Sequence, residues 1–320
     1  MLSRVAENLY WMSRYVERAE NVARLLDVGF DLELDDATLD TDREPAPVEG
    51  VLNILGCRQA FQKRYGTGTA DRDAVLRFLT FDRSNSLSVL AMVAAARENA
   101  RGTQESVSSE VWSQINRLYL YLNGGKAQRR FEESPSRFYD GLKRACVLFA
   151  GLIDGTLPHN EVYHFLQVGR YLERAGQIAR ILTDRAHQLT PLALPGDRPL
   201  QLVHGTSLLR ICSAHDAYLR TYQDQIDSEG IVQYLVLNAD FPRSVRFAVE
   251  RCALSLREIS GADTDEYVSE SERLLGRLSG ELRYLEAGEI FARGLSTFLA
   301  ELLETCDRVG REVHQAYFFT

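Results

Sequence analysis

Glutamate and arginine recur at helical spacing in two places along this chain of 320 residues. Residues 14–26 read RYVERAENVARLL, and residues 170–182 read RYLERAGQIARIL, 156 positions further on. Eight of the thirteen positions are identical, and four of those eight are charged: Arg14/Arg170, Glu17/Glu173, Arg18/Arg174 and Arg24/Arg180. In each copy an arginine, a glutamate, an amide and an arginine fall on one helical line at i, i+3, i+7 and i+10: Arg14, Glu17, Asn21, Arg24, then Arg170, Glu173, Gln177, Arg180. Arginine forks grip carboxylate or phosphate bidentately, so Arg14, Arg18, Arg24, Arg170, Arg174 and Arg180 are candidate ligand-binding residues for an anion. A glutamate beside such an anion can take a proton, so Glu17 and Glu173 are candidate catalytic general bases. A third reading is structural. Exposed Arg–Glu pairs on one helix contribute only about 0.2–0.5 kcal/mol, whereas a buried network between long helices fixes their register. If the two lines face each other across a pseudo-twofold axis, they form one cluster of two glutamates and up to six arginines. From the residues alone the three readings stay open.

The helix that carries each line is amphipathic. At about 100° per residue, Tyr15, Val16, Ala19, Val22, Ala23 and Leu26 share one side, with the charged line on the other. The second copy matches through Tyr171, Leu172, Ala175, Ile178, Ala179 and Leu182, and the paired alanines let a neighbouring helix approach closely.

Helical periodicity extends along almost the whole chain and no alternating strand pattern appears, so the fold class is all-α, a helical bundle. The pattern predicts helices over 2–29, 50–65, 71–79, 86–101, 104–122, 136–153, 158–188, 204–222, 229–237, 242–259, 264–284 and 288–316. Pro158 and Pro242 suit a first helical turn, and Ser84 or Asn85 can cap the helix that follows. Further matches recur at offsets of 156 or 157: Ala60-Phe61-x-Lys63-x-Tyr65 with Ala217-Tyr218-x-Arg220-x-Tyr222, Leu79-x-Phe81-Asp82 with Leu235-x-Leu237-Asn238, and Ser88-Val89 with Ser244-Val245. The expectation is a tandem duplication, with a first helical repeat at 1–156 and a second at 157–320. The lack of a long linker before 158–188 favours one fused compact body.

Net charge is −8, but residues 31–49 hold eight acids against Arg43 alone, leaving 37 acids against 36 bases elsewhere. That run, with Pro45 and Pro47, reads as a solvated loop. A nearly neutral body offers no broad footprint for nucleic acid. No stretch approaches the roughly 20 apolar residues of a membrane helix, and the N-terminus reads as helix rather than signal peptide. Five scattered cysteines, Cys57, Cys146, Cys212, Cys252 and Cys306, make no disulfide framework. They point to buried thiols and a cytoplasmic location.

Other motifs are thin. Glu161-x-x-His164 has metal-ligand spacing but no second copy, so no metal site is expected. Ser213, His215 and Asp216 are adjacent in sequence, which does not define a triad. Gly124-Gly125-Lys126 lacks the earlier glycine of a phosphate loop, and no cofactor motif is present. Trp112, Tyr119 and Tyr121 read as core or groove aromatics, and Arg97, Glu98 and Arg101 either join the charged cluster or sit in solvent.

The segments RYVERAEN and GRYLERA, with FLTFDRSNS, ARENARGTQESVSSEVW and FPRSV, resemble the bacterial alpha-E domain family over essentially the full chain. The family's Glu-Arg motif carries over to Glu17-Arg18 and Glu173-Arg174. Two positions depart from its pattern: Ser13 stands where the second copy has Gly169, and Ser86 stands where a proline is expected, although Pro242 is kept. The resemblance implies partners, namely a circularly permuted ATP-grasp ligase and a transglutaminase-like protein, and with them peptide or amide synthesis. The leading expectation is an accessory subunit of such a ligase system that binds the ligase, or its peptide or amino-acid substrate, through the Arg/Glu cluster. The alternatives are an enzyme using Glu17 or Glu173 as base, and a purely structural helical scaffold.

Overall fold

Good helix formers punctuated by isolated glycines and prolines should yield helices and little else, and among the described residues of the computed structural model there is no strand. These residues are 1–36, 48–68, 71–189, 198–223, 225–263 and 266–319, with side chains described except at 30–36, 48–49 and 198–201. In chain order the first helices are α1 (Ser3–Asp36), α2 (Val48–Ile54), α3 (Arg58–Tyr65), α4 (Arg72–Thr80), α5 (Val89–Arg101), α6 (Ser109–Asn123), α7 (Gly125–Glu133) and α8 (Pro135–Thr156). There follow α9 (Glu161–Leu189), α10 (Arg198–Ile211), α11 (His215–Tyr222), α12 (Ser228–Val232) running into a π-helical turn at Gln233–Leu237, α13 (Val245–Ser260), α14 (Glu270–Tyr284), α15 (Ala287–Arg293) and α16 (Leu295–Tyr317). No helix among the described residues is long and apolar enough to cross a membrane.

Three helices expected to be continuous are each two. The run 50–65 breaks at Gly56 (φ +64°), 204–222 at Ser213 (φ +51°) and 288–316 at Gly294 (φ +91°). Each break needs a left-handed residue, which glycine adopts freely and serine at a cost. At the first two, the amides of Cys57 and Ala214 return to the carbonyls of Leu52 and Leu209, closing the helix end. Helix α1 runs on past residue 29 to Asp36, so the first acids of 31–49 are helical rather than loop. The remainder of that acidic run, with Pro45 and Pro47, lies outside the described residues, as does most of 189–199.

The start signals also shift. Ser88, not Ser84 or Asn85, caps α5 by accepting from the amide of Ala91, and Ser244 caps α13 by accepting from Phe247. Pro242 and Pro158 precede their helices instead of entering the first turn, because Ser244 and Asn160 provide the side-chain oxygens that satisfy the exposed amides.

The chain divides into two compact units, one of residues 11–163 and the other of 1–10 with 164–320. In the first, α6 and α8 lie antiparallel. Gln114 Nε2 donates to the Ala145 carbonyl (2.9 Å) midway along the pair, and Ser108 bonds Thr156 (2.7 Å) where the start of α6 meets the end of α8. Phe61 stacks on Tyr65 at 4.8 Å, with Phe78 edge-on to both at 5.4 and 6.1 Å. In the second unit Tyr218 stacks on Tyr222 at 4.6 Å, with Tyr234 edge-on at 5.4 and 6.0 Å. There α14 and α16 run antiparallel, tied by Arg308–Glu270 (2.9 Å) and Tyr317–Glu272 (3.4 Å) at one end and by Arg293 to Glu281 and Glu301 at the other. The first turns of α1 cross α9 at Gly169, where a Cβ would meet the Tyr10 carbonyl oxygen at 2.2 Å. Phe318 closes over this crossing against Tyr10 (5.4 Å) and Phe165 (6.2 Å).

Candidate functional site

Within unit 11–163, α1 presents its apolar line to the core, with Val16, Ala19, Val22, Ala23 and Leu26 all buried. Glu17 and Asn21 of the charged line, and Glu20 beside them, are nonetheless each only 4% exposed. The charged side of α1 is therefore covered as well, and the helix is buried nearly all round. Arg24 answers Glu20 from one turn away, its Nη2 (2.5 Å) and Nε (3.1 Å) donating to the same carboxylate oxygen. One turn on, Asp27 accepts from Lys143 Nζ of α8 (2.6 Å), both groups being largely buried. Helix α8 also brings Cys146 to this side. Burial pushes its thiol well up, and the carboxylates of Glu20 and Glu17 add to the rise against the opposing Arg24. A thiol in a field of carboxylates stays protonated and is a poor nucleophile. Arg14 lies over the Trp11 ring (4.8 Å), and Arg18 is half-buried.

In the other unit α9 repeats the arrangement with more burial. Glu173 (1% exposed), Arg174 (4%) and Gln177 (3%) are all inside. Gln177 Nε2 donates to Glu173 Oε1 at 2.8 Å. Arg174 Nη1 donates to the carbonyl of Pro242 (3.0 Å) and its guanidinium lies 5.3 Å from the Tyr171 ring centre. The second arginine of the motif is thereby tied to the loop that precedes α13, which follows the π-helical turn. That loop is organised by Asn238, whose side-chain oxygen accepts from the amides of Asp240 and Phe241, and by a Ser244 hydroxyl bond to the Asn238 carbonyl. Arg170 lies over the same Tyr171 ring (5.4 Å), and Tyr171 meets Phe247 of α13 edge-on (5.9 Å). Arg180 reaches Asp307 of α16 at 3.5 Å.

The remaining candidates fall away from these lines. Arg97 bonds Asn116 (2.8 Å) and pairs with Glu98 (2.7 Å), which also takes Arg101 (2.8 Å). The Arg97 guanidinium covers Tyr119 (4.6 Å) and Trp112 (5.8 Å), so this is a local surface network on α5 and α6. Glu161 is exposed, and among the described residues no group of three metal-ligating side chains comes together. His215 pairs with its neighbour Asp216 (3.3 Å), itself 91% exposed, and Ser213 occupies the left-handed turn. The Lys143–Asp27 pair and the Arg174–Pro242 bond were not anticipated from sequence. Lys143 and Asp27 are 116 residues apart and share no local pattern.

The chain was compared with known proteins. A family model described as "a predicted alpha-helical domain with a conserved ER motif", named Alpha-E, matches residues 1–318. Proteins described as uncharacterized from Mycobacterium bovis and Mycobacterium tuberculosis are each 24% identical over 323 aligned residues, which cover 94% of this chain and 35% of theirs. The chain thus spans about a third of the length of the curated relatives it matches. No solved structure matches it. With helices throughout and Glu-Arg pairs at 17–18 and 173–174, the chain belongs to the Alpha-E family.

Proposed function

We propose that this chain is an accessory, partner-binding helical subunit of an ATP-grasp amidoligase system for peptide or amide synthesis, and that its Glu-Arg helices are the internal frame of that body. The observation that carries the accessory reading is the length of its relatives. In them a segment like this whole chain is 35% of the polypeptide, so the helical body works beside further chain. The ligase and the transglutaminase-like protein are proposed as partners on the family resemblance. The frame reading draws on the burial of Glu17, Glu20 and Glu173, and on the hydrogen bonds that tie Glu173 to Gln177 and Arg174 to Pro242. A general base must reach a substrate proton, and these carboxylates face protein.

We also propose that the chain arose by duplication. Supporting it are the stacked ring pairs with an edge-on third ring at 61/65/78 and 218/222/234, and the left-handed residues at 56 and 213. Caps repeat likewise. Asp71 accepts from Ala74 and Asp227 from Gly230, and Ser88 and Ser244 cap α5 and α13.

The test is to mix the tagged chain with the circularly permuted ATP-grasp ligase of the same organism. Co-elution in size exclusion and a changed rate of ligase ATP turnover are expected. Separate elution with unchanged turnover overturns the partner assignment.

A further inference from the structure

Of the asparagines in this chain only Asn123, at the joint between α6 and α7, is followed by glycine. Glycine has no Cβ to keep its amide nitrogen away from the preceding side chain, so an Asn-Gly pair can close a five-membered imide on itself. Asn123 is the last residue of α6 and is exposed, and Gly124 is already in extended backbone (φ −91°, ψ 150°). Gly125 beyond it is exposed and open, a Cβ there meeting nothing within 4 Å. Two hydrogen bonds hold the resting joint, from Asn123 Nδ2 to the Tyr119 carbonyl (2.9 Å) and from the Gly124 amide to the Tyr121 carbonyl (3.0 Å). Both belong to the last turn of a helix, the part that opens most readily.

Arg83 adds what a bare Asn-Gly pair lacks. From the loop before α5 its Nη2 donates to Asn123 Oδ1. The guanidinium draws electron density away from Cγ. It also stands where negative charge gathers on Oδ1 when that carbon is attacked, as a donor of an oxyanion hole does.

We propose that Asn123 is a self-modifying site, an asparagine that closes a succinimide with Gly124 with the help of Arg83. When the two helix-end bonds open, the Gly124 nitrogen gives its proton to solvent base and bonds to Asn123 Cγ. The Cγ–Nδ2 bond breaks, and the side-chain nitrogen takes a proton from solvent and leaves as ammonia. Water then opens the imide. Cleavage at Cγ leaves aspartate, and cleavage at the main-chain carbonyl leaves isoaspartate, with the chain running on through Cγ. In sum, one amide and one water become one carboxylic acid and one ammonia, with no oxidation or reduction. The aspartate product sets a carboxylate against Arg83, where a charge-assisted ion pair replaces the bond to the neutral amide. The isoaspartate product adds a methylene to the main chain just before α7. The proposal is independent of the partner-binding reading.

The test is to hold the folded chain at mildly alkaline pH and follow its tryptic peptide 118–126, LYLYLNGGK, by mass spectrometry against a zero-time sample. Three changes are expected at Asn123: the mass gain of an amide turned to a carboxyl, uptake of oxygen from isotope-labelled water, and methyl-ester formation by an isoaspartyl methyltransferase. Asn53 and Asn160 are equally exposed in class but are followed by Ile54 and Glu161, so they should stay intact. Arg83→Met should slow the conversion about tenfold, less than the loss of an oxyanion donor costs inside a closed site, while circular dichroism stays native. An Asn123 that survives in the folded chain while the isolated peptide LYLYLNGGK converts overturns the proposal, as does equal conversion at Asn53 and Asn160. A natively folded Arg83→Met chain that converts as fast as wild type, or faster, overturns the part given to Arg83. The comparison of asparagines uses the wild-type chain, so it decides on the site even where the variant folds poorly.

Discussion

Replacing Gly169 with alanine adds one methyl group where α9 crosses the first turns of α1. The new Cβ would stand 2.2 Å from the Tyr10 carbonyl oxygen, 3.0 Å from its carbon and 3.2 Å from its Cα. Carbon and carbonyl oxygen settle at about 3.3–3.6 Å, so the helices must part by roughly 1 Å. All three obstructing atoms are backbone, and no rotamer change relieves the contact. Parting the helices also loosens Tyr10, 1% exposed, from the Phe318 ring that seals it. Overpacking of a full core costs about 1–3 kcal/mol, and a clash with rigid backbone belongs at the upper end. Alanine gains about 1 kcal/mol over glycine in a helix interior. The net expectation is a loss of about 2 kcal/mol, which lowers the melting temperature by roughly 4–8 °C for a unit of this size. Gly176, two turns along the same helix, is the control. Its Cβ would meet only the tip of Arg180 at 3.9 Å, so Gly176→Ala should stabilise by up to about 1 kcal/mol. The assay is urea unfolding of the three proteins side by side, followed by circular dichroism. If Gly169→Ala matches Gly176→Ala, the two helices do not cross at backbone contact and the reasoning fails.

Other consequences follow from the buried charges and thiols. Glu173→Ala leaves the Gln177 amide inside without its acceptor and should cost about 1.5–3 kcal/mol, because a hydrogen bond to a charged group is lost. Glu173→Gln should cost less. A Glu173→Ala protein of unchanged stability that no longer binds its partner would instead make this residue part of a ligand site. All five cysteines are buried thiols, so the native chain should react with a thiol-specific reagent slowly and the unfolded chain should show five fast equivalents. Cys57 is held near a pKa of about 11 by burial, against an ordinary value of 9.0. The folded state favours the protonated thiol, so its share of stability is intact below about pH 9 and fades as pH rises towards 11. Cys57→Ser should flatten that alkaline fall in a pH series of melting temperatures.

What could be read from the sequence follows from which forces are local. Helix identity was legible because apolar spacing and propensity act within a few residues. The helix breaks were not, since Gly56 and Gly294 resemble any tolerated glycine and Ser213 carries no signal for a left-handed turn. The cap of α5 was misplaced for a similar reason. Ser84, Asn85 and Ser88 are all competent caps, and the choice depends on the loop, in which Asp82 binds Ser84 and Asn85 binds Leu87. The charged line was legible as a line but not as buried, because a helical wheel records one helix and not the layers around it. The Asp27–Lys143 pair and the hold of Arg174 on the Pro242 carbonyl join distant segments, and no periodicity encodes them.

That burial changes what the repeated arginines mean. An exposed Arg–Glu line could be lost at a cost of a few tenths of a kcal/mol, whereas an uncompensated buried glutamate costs several kcal/mol. Once Glu17 and Glu173 sit inside, each constrains the groups around it. The constraint reaches past the motif helix. Through Arg174 it fixes the carbonyl of Pro242, and the chain that follows begins α13 two residues later at the Ser244 cap. On the proposed reading, the motif thereby helps to set where α13 starts.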